Sequence, residues 1–257
     1  MLNFSKTNII FGAVLAVLIG IHIYSGLPIY LYFLLFFIYS LVVFYGCYYV
    51  GSNFFVRITC SAQTTEKEIA ISFDDGPVLN YTPQVLQVLK EHNVPAAFFC
   101  IGKRIEGNES LLKQIHDEGH IIGNHSFSHH TWFDMFSSQK MLADMQQMDA
   151  AMNKVTGLKP NLFRPPYGVT NPNLAKAIRK GNYTPVGWSV RSYDTVIKDD
   201  KKLLERVCKR IKPGAVFLFH DTCALTLAVL PVFIEKVKDM GYRITRLDKM
   251  LNLPPYA

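Results

Sequence analysis

The sequence predicts an α/β protein, a distorted (β/α) barrel with about seven parallel strands, preceded by an N-terminal helical membrane segment. Three observations predict it. Residues 7–56 contain no Asp, Glu, Lys or Arg, and about 20 apolar residues suffice to cross a bilayer. The rest of the chain alternates short β-favouring runs with helical patterns, which is typical of a parallel sheet with helical crossovers. Reactive side chains follow several of these runs, as expected where a site forms at strand ends.

The uncharged N-terminal stretch is long enough to cross a membrane twice. It breaks at Ser25-Gly26-Leu27-Pro28, which predicts spans over about 9–24 and 29–50 within a membrane segment of residues 1–56. A secretory signal peptide starting at Lys6 is the competing interpretation, but no small-residue cleavage site precedes Ser25 and a second apolar run follows at once. Residues 57–67 are predicted to be a linker, and residues 68–257 the α/β domain.

The first strand of that domain is the run Ile69–Phe73, which suits a strand covered on both faces. Asp74 and Asp75 follow it directly, and Gly76-Pro77 ends the run. The two carboxylates are therefore expected at the carboxyl end of a buried strand. Taken alone, they favour a solvated Asp-Asp-Gly turn, so the functional interpretation depends on the rest of the chain.

Later elements follow in regular alternation. Strands are predicted at 96–101, 120–124, 162–163, 184–190, 215–219 and 242–244. Helices are predicted at 82–92, 109–118, 138–156, 172–181 and 201–212 and from about 225, with caps at Thr82-Pro83, Gly119, Gly157 and Asn171-Pro172. The methionine stripe of the longest helix, 138–156, is interpreted as core packing.

Charge and cysteine usage exclude some classes of function. Residues 57–257 carry a surplus of six positive charges, scattered along helical stretches. No motif supports nucleic-acid binding, so a solvated face or attraction to anionic glycans or lipid head groups is expected. The five cysteines have no paired spacing, which indicates neither a disulfide framework nor a thiolate metal site.

A His-x-x-x-His pattern supplies candidate metal ligands. His125 and His129 are four residues apart, so a helical turn would point both imidazoles the same way. A strand-end Asp would complete a two-His, one-carboxylate set, which leaves positions open for water and substrate. Zinc is the default ion for that set, and iron, cobalt or nickel also suit it. An Fe(II) oxygenase would use the same ligands but would leave Asp74, Arg164 and His220 unexplained.

Four motifs in order carry a more specific resemblance. They are Phe-Asp-Asp-Gly-Pro at 73–77, His-Ser-x-x-His at 125–129, Arg-Pro-Pro-Tyr-Gly at 164–168 and Leu-Phe-His-Asp at 218–221. Together they resemble the polysaccharide deacetylase family, the NodB-like carbohydrate esterases of family 4 type. The resemblance covers about residues 67–247. It implies a NodB homology domain and a metal-dependent hydrolase that removes N-acetyl groups from amino sugars of a polysaccharide or lipid-linked glycan.

The resemblance also implies roles for individual residues. Asp74 resembles the general base, held ionised and oriented by Arg164, and His220 resembles the general acid, oriented by Asp194. The implied metal ligands are Asp75, His125 and His129, with Zn²⁺ as the expected ion and Co²⁺, Ni²⁺ or Mn²⁺ as alternatives. The backbone N–H of Tyr167 would hold the oxyanion, and the residues implied to contact substrate are Leu218, Tyr167 and Trp188. Trp188 could equally be a core residue.

One departure from the family pattern concerns the substrate groove. The family commonly shows Asp-x-x-Asp-Trp after the fifth strand, whereas Arg191 and Thr195 stand here at the first and last of those positions. Asp194 is retained. The departure therefore bears on the groove wall and the substrate rather than on hydrolysis.

Alternatives remain open for activity and for topology. An O-acetyl esterase would use the same machinery with a better leaving group, and a non-catalytic glycan-binding module could share the fold. The two predicted spans indicate a multi-pass membrane protein, expected in the inner membrane of a bacterium, and the resemblance adds an acetylated glycan as partner to the membrane itself. Lys6 and Arg57 favour a cytoplasmic domain by the positive-inside tendency, whereas family substrates usually lie outside.

Overall fold

The computed structural model describes residues 2–257, which form an α/β domain behind two long N-terminal helices. The helices are α1 Phe4–Ser25, α2 Tyr30–Tyr48, α3 Thr82–Glu91, α4 Glu109–Asp117, α5 Ser138–Thr156, α6 Pro172–Gly181, α7 Asp200–Cys208, α8 Ala224–Asp239 and α9 Leu247–Leu251. The strands are β1 Glu68–Asp74, β2 Ala97–Cys100, β3 Ile121–Asn124, β4 Leu162–Phe163, β5 Thr184–Pro185, β6 Val190–Arg191, β7 Ala215–His220 and β8 Arg243–Ile244.

The sheet is a curled half-barrel whose strands are all parallel, and this confirms the predicted fold class. Seven strands run in the order β5-β4-β3-β2-β1-β7-β6, and β8 pairs with the start of β1. The long central pair is β1 with β7, in a register that sets Asp74 beside His220. Parallel strands end at a common edge, so side chains that follow β1, β3, β4 and β7 meet there.

The predicted strand 184–190 was wrong as a single element. Its first part, β5, pairs with β4 at one edge of the sheet, and its last part, β6, pairs with β7 at the other edge. Only residues 186–189 connect them, and five chain steps span at most about 17 Å. The two edges must therefore curl towards each other. The β-favouring run 184–190 crosses the gap between them instead of forming one strand.

The two faces of the central strands have different environments. Ile69, Ile71 and Phe73 of β1 lie in the layer between the sheet and its outer helices, whereas Ala70 belongs to the cluster inside the barrel. Since side chains alternate along a strand, Ser72 and Asp74 share the inner face with Ala70. Each fully buried Ile or Phe stabilises the fold by about 1.5–3 kcal/mol. The apolar outer layer therefore stabilises β1, which allows its inner face to carry polar groups.

Helices α1 and α2 form an antiparallel hairpin that is attached to the domain. Each is long and apolar enough to cross a membrane. The Tyr39 hydroxyl donates to Asn8 Oδ1 (2.9 Å) across the hairpin. At its open end, the Phe4 N–H donates to the Phe54 carbonyl (3.0 Å). The hairpin is therefore continuous with the segment that enters the domain.

The segment predicted to be a linker makes sheet-like contacts. Thr59 bridges Val186 in parallel fashion, and Ser61 bridges Ala215 in antiparallel fashion. Ile58 is buried. This segment thus lies in the gap between the two edges of the half-barrel, which ties the helical hairpin closely to the domain.

Candidate active site

The three predicted metal ligands converge beside the carboxyl end of β1. The Asp75 Oδ1 lies 3.6 Å from His125 Nε2 and 3.4 Å from His129 Nε2. Donor atoms that share a tetrahedral ion at 2.0–2.2 Å are separated by about 3.4 Å. The Asp75 Oδ1 is also buried without a hydrogen-bond partner among the described residues. A divalent ion would satisfy that atom, so the three side chains fit one.

Both imidazoles are able to coordinate an ion at this position. The His125 Nδ1 lies 2.8 Å from the Arg164 carbonyl. Because a carbonyl only accepts, Nδ1 carries the proton and Nε2 is free to coordinate. Burial, followed by the neighbouring His125, lowers the pKa of His129 to about 4. His129 is therefore neutral near pH 7, which metal coordination requires.

The predicted helical turn between His125 and His129 was wrong, although the two side chains do meet. Residues 125–130 are irregular, and Ser126 and His129 have φ values of 66° and 43°. The Asn124 side chain accepts from the Ser126 N–H (2.8 Å). The carboxylate of Asp144, on α5, accepts from the Phe127 and Ser128 N–H groups. Side-chain acceptors thus take the place of helical hydrogen bonds in this turn.

The Asp74 carboxylate pairs with Arg164, as the resemblance implied. The Arg164 Nη1 donates to Asp74 Oδ1 (2.7 Å), and the guanidinium also donates to the Ser72 hydroxyl and to the Val186 and Gly187 carbonyls. Arg164 is fully buried. Burial lowers its pKa while the Asp74 charge opposes that shift. The pair holds the Asp74 Oδ2 toward His125 Nε2, at 3.7 Å.

The His220 imidazole is oriented by Asp194 in the predicted manner. The His220 Nδ1 lies 2.7 Å from Asp194 Oδ1, and its backbone N–H donates to Asp194 Oδ2 (2.6 Å). Burial alone would lower the pKa of His220, but the hydrogen bond and charge of Asp194 outweigh it, and the pKa rises to about 8. Burial raises the pKa of Asp194, yet its bonds to His220 and Thr226 leave it lowered. The pair is therefore imidazolium and carboxylate near pH 7.

The remaining predicted site residues border this centre. Tyr167 has a φ of 60°, and its ring centroid is 4.7 Å from that of His129. Among residues 2–257, no backbone carbonyl accepts its N–H. Leu218 lies on β7 in register with Ser72, two residues before His220. Trp188 is partly buried against Gly168, whose added Cβ would lie 2.6 Å from the indole.

Several supporting residues were not predicted from the sequence. They are Ser72, which is buried between Arg164 and the Phe217 carbonyl; Thr226, which donates to Asp194; Arg104, which donates to the Asp75 carbonyl; and Asn124 and Asp144 in the His turn. One sequence signal was available. Asp144 interrupts the methionine face of α5 at a buried position, and buried carboxylates are rare without partners.

The two departures from the family pattern flank Asp194 in the sequence. The Thr195 N–H donates to Asp194 Oδ1 (3.0 Å), so this position supports the carboxylate through its backbone. The Arg191 guanidinium carbon lies 5.9 Å from the Trp188 ring and 5.2 Å from the Tyr193 ring. The cation therefore sits between two aromatic side chains next to the crossing segment.

Comparisons with known proteins agree with this geometry. The family model described as polysaccharide deacetylase matches residues 61–186. The peptidoglycan-N-acetylmuramic acid deacetylase PdaA of Bacillus subtilis is 33% identical over 216 residues, covering 82% of this chain and 78% of that protein.

Solved structures include enzymes and a pseudoenzyme. A peptidoglycan N-acetylglucosamine deacetylase superposes with a TM-score of 0.74 and 30% identity, over 78% of this chain and 95% of that one. A family 4 carbohydrate esterase described as a pseudoenzyme, from Bacillus anthracis, superposes with a TM-score of 0.69 and 27% identity, over 75% and 68%. With its motifs, its half-barrel and these relatives, the chain belongs to the polysaccharide deacetylase family.

Proposed function

We propose that this chain is a metal-dependent deacetylase that removes N-acetyl groups from amino-sugar residues of a polysaccharide or lipid-linked glycan. One observation carries the proposal. The three candidate metal ligands, the Asp74–Arg164 pair and the Asp194–His220 pair all lie around one edge of the sheet. Family membership alone is weaker support, because the family includes a pseudoenzyme.

The proposed ligands are Asp75, His125 and His129, and the proposed ion is Zn²⁺, with Co²⁺, Ni²⁺ or Mn²⁺ as alternatives. A divalent ion bound there would lower the pKa of water and polarise the acetyl carbonyl. The chain's own part is to orient the donors. The Arg164 carbonyl holds the His125 ring, and the Arg104 guanidinium holds the Asp75 backbone through a 2.6 Å bond.

The protein groups divide the proton transfers of amide hydrolysis between them. Asp74 accepts a proton from the attacking water, whose oxygen bonds to the acetyl carbon. The N–H of Tyr167 donates to the oxyanion that develops on the former carbonyl oxygen. His220 then donates its proton to the sugar nitrogen as the carbon–nitrogen bond breaks. Acetate and a free amine leave, and Asp194 and Arg164 keep the acid and the base in position.

The bordering side chains would contact the substrate. Leu218 is on the inner face of the barrel beside Ser72, where an apolar side chain suits the acetyl methyl group. Tyr167 is nearly half exposed next to His129, so its ring can cover a sugar face. Trp188 lies within 5.8 Å of the Arg164 guanidinium and would form the wall beside the base.

Two matched variants test the division of roles. Asp74→Asn should abolish acetate release while zinc content stays near that of the unmutated protein, because Asp74 is proposed as base and not as ligand. Asp75→Asn should lose both. Acetate release on N-acetylated and O-acetylated glycans, with metal analysis of the same samples, measures this and separates amide from ester cleavage.

The second candidate is a non-catalytic glycan-binding module, which the pseudoenzyme neighbour favours. It predicts no acetate release from any acetylated glycan by zinc-loaded, unmutated protein. That result would reject the enzyme, whereas release that depends on Asp74 would reject the binding module.

For the N-terminus we propose a membrane segment, residues 1–56, with two spans ahead of the linker 57–67 and the catalytic domain 68–257. The side chains of α1 and α2 are largely exposed and apolar, which requires an apolar environment. A cleaved signal peptide would remove α1, yet α1 contacts both α2 and Phe54. The bacterial origin of the relatives supports a place in the inner membrane of a bacterium.

A further inference from the structure

The hairpin carries tyrosines at both ends of its apolar length. Helix α1 has 22 residues and rises about 33 Å, close to the hydrocarbon thickness of about 30 Å. Tyr24 and Tyr30 are exposed at the far end, and Tyr45, Tyr48 and Tyr49 are exposed at the end near the domain. Tyrosine concentrates at membrane–water interfaces. The second group therefore marks the bilayer surface on the domain side.

The loop of residues 167–170, beside the candidate metal site, is hydrogen-bonded to the C-terminal end of α2. That end of α2 carries the second group of tyrosines. The Thr170 N–H donates to the Cys47 carbonyl (3.0 Å), and its hydroxyl donates to the Gly46 carbonyl (3.0 Å). Thr170 is buried and only three residues from Tyr167, which contacts His129. Three residues span at most about 10 Å. The mouth of the site is thus held close to the bilayer surface.

A second loop next to that helix end exposes large apolar side chains. Trp132 is 64% exposed and Met135 is 74% exposed, although both lie in a domain whose other large apolar side chains are mostly buried. The Asn171 side chain, adjacent to Thr170, donates to the Asp134 carbonyl (2.6 Å). Trp132 and Met135 therefore flank the end of α2, where an indole and a thioether suit the interface.

The same side of the domain carries a basic cavity. A cavity of about 500 Å³ between the start of α1 and helix α6 is lined by Arg57, Lys176 and Arg179, and within residues 2–257 no acidic side chain lines it. Among the described residues these cations form no ion pair. Basic groups next to a membrane span attract anionic head groups.

We propose that Trp132, Met135, Arg57, Lys176 and Arg179 form a membrane-facing surface that rests on the bilayer crossed by α1 and α2. The substrate is then an amino sugar joined to a lipid of that bilayer, presented within reach of the mouth, rather than a polymer held away from the membrane. This inference rests on the proposed function for its chemistry and on the hairpin contacts for its geometry.

The substrate class is tested with one glycan in two forms. N-acetylchitotetraose is offered either free or joined to a synthetic dipalmitoyl tail, to full-length zinc-loaded protein in phosphatidylcholine and phosphatidylglycerol vesicles. We expect acetate release from the tailed form to exceed that from the free form by about tenfold or more, since sharing a surface raises the effective concentration. Equal rates would overturn the lipid-linked assignment. No release from either form would overturn the proposed function and the assignment with it.

Two variants separate surface contact from chemistry. Trp132→Ala with Met135→Ala should lower the rate on the tailed glycan several-fold and leave the free glycan near its starting rate. Met240→Ala, which removes an exposed side chain at the end of α8, is the matched control and should change neither rate. Equal losses on both glycans in the double variant would contradict a membrane role.

Tryptophan fluorescence tests the surface without any activity. The chain has two tryptophans, so Trp188→Phe leaves Trp132 as the sole tryptophan, whose emission is then followed. Brominated phospholipids in the vesicles should quench it, and the Trp132→Phe variant, which keeps Trp188, should be quenched less. Emission of Trp132 that is insensitive to brominated lipid would overturn the proposed surface even if both glycans were hydrolysed.

Discussion

At the scale of single residues, the site depends on buried charges that face a specific partner. Arg164 is fully buried and makes four polar contacts, which a lysine could not reproduce because the contacts diverge from a planar fork. Asp75 shows the opposite condition, since its buried Oδ1 has no partner among the described residues. The hydrogen-bonding groups of Arg164 are thus satisfied within the protein, whereas the Asp75 carboxylate fits a bound ion.

The pH dependence of activity should follow His220. Its pKa is about 8, so the protonated acid is present below pH 8 and is lost as pH rises through that value. Asp194→Asn removes the charge that raises this pKa and leaves burial, which lowers it. We expect the basic limb of the kcat profile to move from about 8 towards or below the ordinary histidine value of about 6.5, with kcat reduced about a hundredfold.

Thr226→Val is the matched control for that profile. It removes one hydrogen bond to Asp194 but keeps the carboxylate, so the basic limb should stay near its starting position. An unchanged limb in Asp194→Asn would show that another group donates the proton.

Gly76 lies where a side chain has no room. An added Cβ would stand 2.0 Å from Asp221 Oδ2. That carboxylate is fully buried and accepts from the Thr82 hydroxyl at 2.6 Å. Gly76→Ala should therefore destabilise the fold by about 1–3 kcal/mol, measured as a lower thermal midpoint. Gly12→Ala, where an added Cβ meets nothing within 4 Å, should not lower the midpoint, because alanine also favours the helix at that position.

At the scale of elements, the His turn depends on α5, the helix that follows it along the chain. Asp144 on α5 accepts two N–H groups of the turn that carries His129. Asp144→Ala should leave those groups without an acceptor and weaken zinc binding about tenfold or more, measured by competition with a chelator. Gln146→Ala, exposed on the same helix, should bind zinc normally. Equal affinities in the two variants would show that the turn holds its shape alone.

The sequence predicted the bounds of an element correctly where capping residues next to that element set them. The predicted helix 138–156 begins after Ser137, whose side chain caps it, and ends at Gly157 in the left-handed conformation. The predicted strand 184–190 divides in two because its halves pair with different edges of the sheet. The residue types of a segment indicate that it favours an extended backbone, but they do not indicate which strand of the sheet will supply its backbone hydrogen bonds.

At the scale of the whole molecule, the open question of topology has a direct measurement. Positive flanks at Lys6 and Arg57 favour a cytoplasmic domain, whereas the resemblance implies a substrate outside the cell, and a relative is named for the deacetylation of peptidoglycan. We expect an outward domain. A thiol introduced by Asp239→Cys, at an exposed end of α8, should react with a membrane-impermeant maleimide in intact cells. The unmutated chain is the background control.

The opposite labelling result would give the opposite topology. If the introduced thiol reacts only after lysis, the domain is cytoplasmic. The proposed membrane-facing surface would then rest on the inner leaflet, since the hairpin returns both of its ends to the domain.

Local patterns in the sequence predicted the fold class, the order of most elements and a set of candidate site residues. Strand periodicity and helix caps act over a few residues, and the four motifs lie directly at strand ends. The resemblance implied the pairs Asp74–Arg164 and Asp194–His220, and both are present at 2.7 Å.

How those residues are held depends on contacts that form only in the folded domain. The tertiary structure brought Asp144 of α5 to the His turn, divided one predicted strand between two sheet edges, and bonded the loop after Tyr167 to the end of α2. Each of these contacts joins residues that are distant along the chain. They form because packing and buried hydrogen bonding are satisfied over the whole domain, which no local pattern of residues encodes.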